Sequence, residues 1–235
     1  MNNQAYYDEF SQRYDEGRDH GYHALIDELE VKILDPFVEG RDALECGCGT
    51  GLILNRIKPR TRRAVGVDLS AGMLEHARQR GHEVYQSSIT ELPFADQTFD
   101  VAYSFKVLAH VEAIELALAE MARVLRPGGH LIAEFYNPWS LRYLVKRLKP
   151  PTRISDTTND EAVFTRYDTL QAARAYLPTS VKYLDVYGVR VFTPVSKVHD
   201  VPVLRSLFRR LEIEALDAPI LRRFAGFMVL VAQKL

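Results

Sequence analysis

Short apolar runs separated by amphipathic stretches set the rhythm of this chain. Leu25, Leu29, Ile33 and Phe37 recur at the spacing that lines one face of a helix, and Pro36 with Gly40 marks its expected end. Tyr6, Tyr7, Phe10 and Tyr14 repeat that spacing earlier, so two helices are expected before the first strand. From Ala43 the pattern changes. "DALEC", "RRAVGVDL", "HEVYQS", "FDVAYS" and "GHLIAEFY" read as strands, with helical segments near 50–57, from Ser70 to Arg80 and over "AIELALAEMARVL" between them. Strands alternating with helices predict an α/β fold, a doubly wound and mostly parallel sheet with right-handed crossovers.

After Asn137 the alternation lapses. "PWSLRYLVKRLKPP" reads as a cationic amphipathic helix, a polar stretch runs to Asp160, and "DTLQAARAYL" opens with an Asp-x-x-Gln capping pattern. The chain closes with "VKYLDVYGVRVFTP", a helical "VLRSLFRRLEIEAL" and "AGFMVLVAQKL", whose last run is expected to join the sheet antiparallel. The expected organisation is one domain over 1–235. It comprises a helical lid (1–40), a ligand-binding core (41–137), a helical insertion (138–180) and a segment completing the sheet (181–235).

Composition narrows the picture by exclusion. Hydrophobic residues at 47% and charged residues at 26% are ordinary for a globular protein. Thirty basic against thirty-one acidic side chains leave a net charge of −1, which offers no overall field for nucleic acid. The polar, acidic start and the absence of a long apolar run predict a cytoplasmic protein without stable membrane insertion. The two cysteines, Cys46 and Cys48, sit too close to bridge without strain and lack the companions of a zinc site, so no metal is expected.

The candidate chemistry centres on "ALECGCGTGLIL". Gly47, Gly49 and Gly51 follow a strand and open a helix, where an α/β sheet receives a nucleotide. Leu52 occupies the place of the third glycine in the dinucleotide fingerprint, which argues against a nicotinamide-dependent oxidoreductase. Glu45, directly before the loop, would repel a pyrophosphate but suit a ligand bearing an ammonium and a sulfonium. Asp68 ends the second strand, where a carboxylate can accept both ribose hydroxyls; as an acid ahead of a helix it would also complement the helix dipole.

In order and spacing, "ECGCGTG", "GVDLSAGMLEHAR", "ITELPFADQTFDVAYS" and "EMARVLRPGGHLIAEF" resemble the successive motifs of class I S-adenosylmethionine-dependent methyltransferases of the small-molecule type. The resemblance implies a Rossmann-like sheet of seven strands and S-adenosylmethionine as cofactor, with S-adenosylhomocysteine as product. It further implies that Glu45 faces the methionine ammonium, that Gly47, Cys48 and Gly49 supply backbone contacts, and that Asp68 holds the ribose. Leu69 and Met73 would pack on the adenine. Ser88 stands where the family usually has an acid, with the amide of Ile89 beside it, and Phe105 would pass the methionine end. "RPGG" is read as structural, Pro127 ending a helix and the glycines turning the chain.

The methyl acceptor is expected to be a small molecule, and no oligomeric state follows from the sequence. His110 is the candidate base, with a helix-start or hydrogen-bonding histidine as the other reading. Tyr14 and Tyr6 belong to an aromatic segment that resembles a lid; a helix packed on the core explains the same stripe. Tyr136, Arg166, Tyr167 and Arg190 are candidates to face the acceptor, against the default of solvated arginines. The cationic helix is expected to pack as a lid, with contact to a lipophilic surface as its rival. A cofactor-binding module that acts through a protein partner is the non-enzymatic alternative.

Overall fold

A computed structural model of the protein describes Asp8, Ser11, residues 14–148 and residues 164–235. Seven strands form one sheet: β1 (Asp42–Cys46), β2 (Arg63–Asp68), β3 (Glu83–Gln86), β4 (Phe99–Ser104), β5 (Leu125–Tyr136), β6 (Val181–Val189) and β7 (Phe227–Lys234). Their order is β3-β2-β1-β4-β5-β7-β6. The first five strands run parallel, whereas β7 enters antiparallel between β5 and β6. The order reverses at β1, the crevice where ligands collect in such sheets.

Helices cover both faces. Helix α1 (Gly21–Val38) precedes β1, α2 (Leu52–Ile57) and α3 (Ala71–Gln79) follow β1 and β2, and α4 (Ile114–Arg123) follows β4. After β5 come α5 (Leu141–Leu148) and α6 (Leu170–Ala175), while α7 (Pro202–Ala215) lies between β6 and β7. Strand alternation splits the core. Leu44 and Cys46 face α4 in one cluster, whereas Ala43, Tyr103, Ile132 and Tyr136 meet Leu29, Ile33 and Val38 of α1 in the other. The described residues contain no helix long and apolar enough to cross a membrane.

Four local expectations change. Helix α1 continues through Pro36 to Val38, because Val38 and Leu34 are fully buried and their packing retains the last turn despite the missing amide. Thr169 rather than Asp168 caps α6, its hydroxyl accepting from the Ala172 amide. Helix α4 ends at Arg123, and Pro127 lies inside the start of β5. The fourth concerns α5, whose apolar side points outward. Leu144 and Leu148 are exposed, and Trp139 just before the helix is 71% exposed, while Arg142 and Tyr143 turn toward the protein. The segment holding Tyr6, Tyr7 and Phe10 lies outside the described residues.

Candidate active site

The loop from β1 to α2 is built around close approach. Gly47 has φ +81°, and a Cβ there would come within 2.2 Å of Val107. The amides of Gly47 and Cys48 both donate to the Val67 carbonyl, at 2.7 and 2.9 Å, and that of Gly49 donates to Asp68 Oδ2 at 2.8 Å. These three amides therefore donate within the protein, and any backbone contact of the loop to a ligand falls to its carbonyls and α-carbons. The loop crosses the end of β2, and the polar groups there satisfy it. What the glycines contribute is room. The Cys48 side chain lies behind the loop, where Gly66 leaves space for it, and burial pushes its thiol far above the usual range.

In front of the loop lies a cavity of about 250 Å³. Its walls include Asp68 and the apolar Leu69, Met73, Ile89 and Phe105, with Ser88 and His110 at its polar margins. Asp68 is half-buried and its second oxygen accepts the Ser70 amide at 2.9 Å, so it ties the glycine loop to the start of α3. Burial raises its pKa and these amides oppose the rise. Ser88 is held by Thr90, its oxygen accepting the Thr90 amide at 3.2 Å.

The N-terminal segment straps this cavity. Asp8 accepts from Ser70 Oγ and the Gly72 amide, and Ser11 packs where Gly72 has no side chain. Asp15 accepts from Thr50 Oγ1 at 2.7 Å and from Arg80 at 2.6 Å. Tyr14 lines the cavity between these anchors.

Glu45 departs from its expected place. It is buried and absent from the cavity wall; Tyr103 donates to its carboxyl at 3.2 Å, and burial raises its pKa to about 8. The cause is strand phase. Glu45 alternates with Leu44 and Cys46, so it shares the α1 face with Ala43, and the parallel register sets it beside Tyr103.

A charged cluster under α1 was not anticipated. Lys106, which lines the cavity at φ +61°, pairs through Nζ with Asp27 at 2.9 Å and Glu30 at 3.0 Å, and its amide donates to Glu134 at 3.0 Å. Burial would depress the ammonium, yet Glu30 and Asp27 outweigh it and hold it above the usual lysine range. Burial also raises Glu134 to about 7. A signal existed in the chain: Glu134 interrupts the apolar run "HLIAEFY", and Asp27 and Glu30 fall beside the apolar stripe of α1. Charges in such positions need partners.

His110 ends a short 3-10 turn (Leu108–His110) after β4, and its Nδ1 lies 2.8 Å from the Phe164 carbonyl. A carbonyl only accepts, so Nδ1 carries the proton and the lone pair is on Nε2. Burial lowers the pKa, which keeps the ring neutral near pH 7. Its edge meets Tyr136, with ring centroids 5.8 Å apart, and Tyr136 in turn meets Tyr167 at 5.9 Å. The predicted arginines are engaged elsewhere. Arg166 forms a two-point pair with Asp168, because the capping segment of α6 brings them together, and it lies over the Tyr176 ring. Arg190 donates to Tyr22 Oη and to the Thr193 and Pro194 carbonyls, fastening α1 to the end of β6.

Comparison with known proteins agrees with this geometry. Residues 44–133 match the family described as "Methyltransferase domain". The malonyl-[acyl-carrier protein] O-methyltransferase of Serratia marcescens is 36% identical over 107 residues, which cover 45% of this chain and 42% of that protein. The chain thus spans less than half the length of the curated relatives it matches. Among solved structures, a Thermotoga maritima S-adenosylmethionine-dependent methyltransferase, described as a possible histamine N-methyltransferase, superposes with a TM-score of 0.71 at 21% identity, covering 99% of both chains. The N-methyltransferase NodS of Bradyrhizobium japonicum, solved with S-adenosyl-L-homocysteine, has a TM-score of 0.64 at 14% identity, covering 100% of this chain and 99% of its own. With its cavity at the sheet reversal and its motifs in that order, the chain carries over residues 44–133 a methyltransferase domain similar to those of S-adenosylmethionine-dependent methyltransferases, on a fold shared with such enzymes.

Proposed function

We propose that the protein transfers the methyl group of S-adenosylmethionine to an oxygen, nitrogen or carbon of a small-molecule acceptor. The observation that carries this reading is one continuous cavity lined by Asp68, an apolar slot and His110. The residues fit the cofactor. Asp68 keeps lone pairs for ribose hydroxyls beyond its two amide bonds, Leu69, Met73 and Ile89 offer apolar surface to a purine, and Gly47 and Gly49 let a ligand approach the backbone. A pyrophosphate fits poorly. Its usual donors are loop amides, and those of Gly47, Cys48 and Gly49 are taken by Val67 and Asp68. Glu45, buried against Tyr103, stands off the cavity and takes no part in this discrimination.

When bound, the cofactor supplies an electrophilic methyl on a sulfonium. The chain's own residues position and shield. Tyr14 and Phe105 line the cavity and exclude water from it, and the neutral His110 accepts a proton through Nε2 from an acceptor hydroxyl, phenol or ammonium. We place the reaction in the cytoplasm, within a single domain, and not on nucleic acid, since the net charge is −1. Relatives named for O-methyl and for N-methyl transfer share this core, so the acceptor atom is set outside it.

Calorimetric titration with S-adenosylhomocysteine and NADH, followed by transfer of labelled methyl groups to a panel of phenols, hydroxy acids and amines, tests the reading. Binding of S-adenosylhomocysteine alone, with label reaching at least one acceptor, is expected. NADH binding without S-adenosylhomocysteine binding would overturn it, and cofactor binding without transfer to any member would leave a binding module.

A further inference from the structure

Two polar groups beside the acceptor side of the site are buried without partners. Arg142 Nη1 and Tyr167 Oη are both sealed from solvent, and neither makes a hydrogen bond. The Arg142 guanidinium carbon lies 4.4 Å from the centre of the Tyr136 ring, 4.9 Å from that of Phe227 and 6.0 Å from that of Tyr167. Among the described residues no carboxylate pairs with it, although the chain pairs most of its other buried charges. Arg142 is half-buried and walled by aromatic rings, with Glu134 within its field but no carboxylate at pairing distance, and such a cation is poised to take one.

The fold places it there deliberately in the geometric sense. Asn137 at the end of β5 donates to the Arg223 and Ala225 carbonyls at 2.8 and 3.0 Å, and Ser140 caps the start of α5 by accepting the Tyr143 amide at 3.1 Å. That anchoring sets the rotation of α5, which turns Leu144 and Leu148 to solvent and Arg142 inward. Gly226 permits the approach: a Cβ there would stand 3.2 Å from Arg142 Cδ and 3.3 Å from Arg190 Cδ. Arg190 adds positive field, but its nitrogens already donate to Tyr22, Thr193 and Pro194.

We propose that Arg142 and Tyr167 bind a carboxylate of the methyl acceptor, at the end of the molecule opposite the atom that is methylated. This rests on the methyltransferase reading and specifies its acceptor. The Tyr136 ring touches both His110, on the cavity wall, and the Arg142 guanidinium, so the proposed carboxylate site lies one ring beyond that wall and a small acceptor reaches it by displacing that ring. One guanidinium N–H and one phenol O–H match the two oxygens of a carboxylate, and a single unpaired cation matches its single charge. A phosphate dianion would bring a second negative charge that this single cation does not match. The acceptor class is therefore a carboxylic acid whose other end carries a hydroxyl, phenol or amine within reach of His110.

The test uses the full chain saturated with S-adenosylhomocysteine, titrated with 4-hydroxybenzoate, 3-hydroxybutyrate and 4-aminobutyrate, and with the corresponding amides and phenyl phosphate. Binding is read by saturation-transfer NMR and calorimetry. At least one acid is expected to bind, with its amide and phenyl phosphate weaker by about tenfold or more. Arg142→Gln is expected to weaken that acid by a similar factor and Tyr167→Phe by less, while Arg142→Lys restores part of the loss. S-adenosylhomocysteine affinity, unchanged in all three variants, reports that each is folded. No binding of any acid by the wild-type protein, equal binding of acid and amide, or full affinity in Arg142→Gln each overturns the proposal. Should S-adenosylhomocysteine itself fail to bind, the methyltransferase reading falls; the same titrations on the cofactor-free protein then show separately whether Arg142 takes a carboxylate.

Discussion

Asp68 Oδ2 accepts the Gly49 amide at 2.8 Å, joining the end of β2 to the loop after β1. One carboxylate thereby shapes the loop and faces the cavity. Asp68→Ala removes both the tie and the hydroxyl acceptor, and Asp68→Asn keeps only part of each. Calorimetry is expected to show S-adenosylhomocysteine affinity reduced by about tenfold or more in the alanine variant and by less in the asparagine variant. Unchanged affinity in Asp68→Ala would show that the ribose is held elsewhere.

Gly47→Ala places a methyl group 2.2 Å from Val107 at a φ of +81°. Two costs arise, one steric and one from the backbone, each about 1–3 kcal/mol. Thermal unfolding should show a lowered Tm, and adding Val107→Ala should recover the steric part alone. A fully restored double variant would mean that the backbone angle carries no strain.

Because burial keeps His110 neutral, its proton acceptance fails only in acid. The transfer rate is expected to fall as pH drops through a value below 6.5 and to be level above it. His110→Ala should lower kcat by about 100-fold or more without moving S-adenosylhomocysteine affinity. An acid limb that persists in His110→Ala belongs to another group.

The Glu45 carboxyl, raised from 4.5 to about 8, holds a proton in the folded protein that the unfolded chain releases. The native state binds more protons across that window, so Glu45 makes the fold less stable as pH rises from about 4.5 to about 8. Glu45→Gln removes the proton linkage while keeping an acceptor for Tyr103. Urea unfolding at pH 6 and pH 8 should show a shallower decline in the variant, its gain at pH 8 reaching a few kcal/mol, roughly. Parallel declines in the two proteins would place the carboxyl in contact with water.

Lys106→Met leaves buried Glu30 without its cation, while Asp27 keeps only the longer contacts to Arg18 and Arg56, each at 3.7 Å. Loss of one partner from such a cluster costs about 3–5 kcal/mol. Chemical denaturation should report that loss, and adding Glu30→Gln should reduce it. If Lys106→Met unfolds like the wild type, water reaches the cluster and screens it.

The chain by itself determined the order of strands and helices, the glycines that open the loop after β1, and an acid at the end of β2. These are local properties: side-chain period, turn chemistry and strand length are written in consecutive residues. The tertiary structure decided which way the chemistry faces. Glu45 looks like a ligand contact in "ECGCGTG", yet the face of β1 that it occupies is covered by α1 and Tyr103, residues distant in sequence. The loop amides look available until Val67 and Asp68 are brought against them. Arg142 reads as one cation on a solvated helix, and the anchoring of Asn137 on the 223–225 turn rotates it into an aromatic corner. Periodicity specifies faces, but which neighbour covers each face depends on contacts across the sheet, which no local pattern encodes.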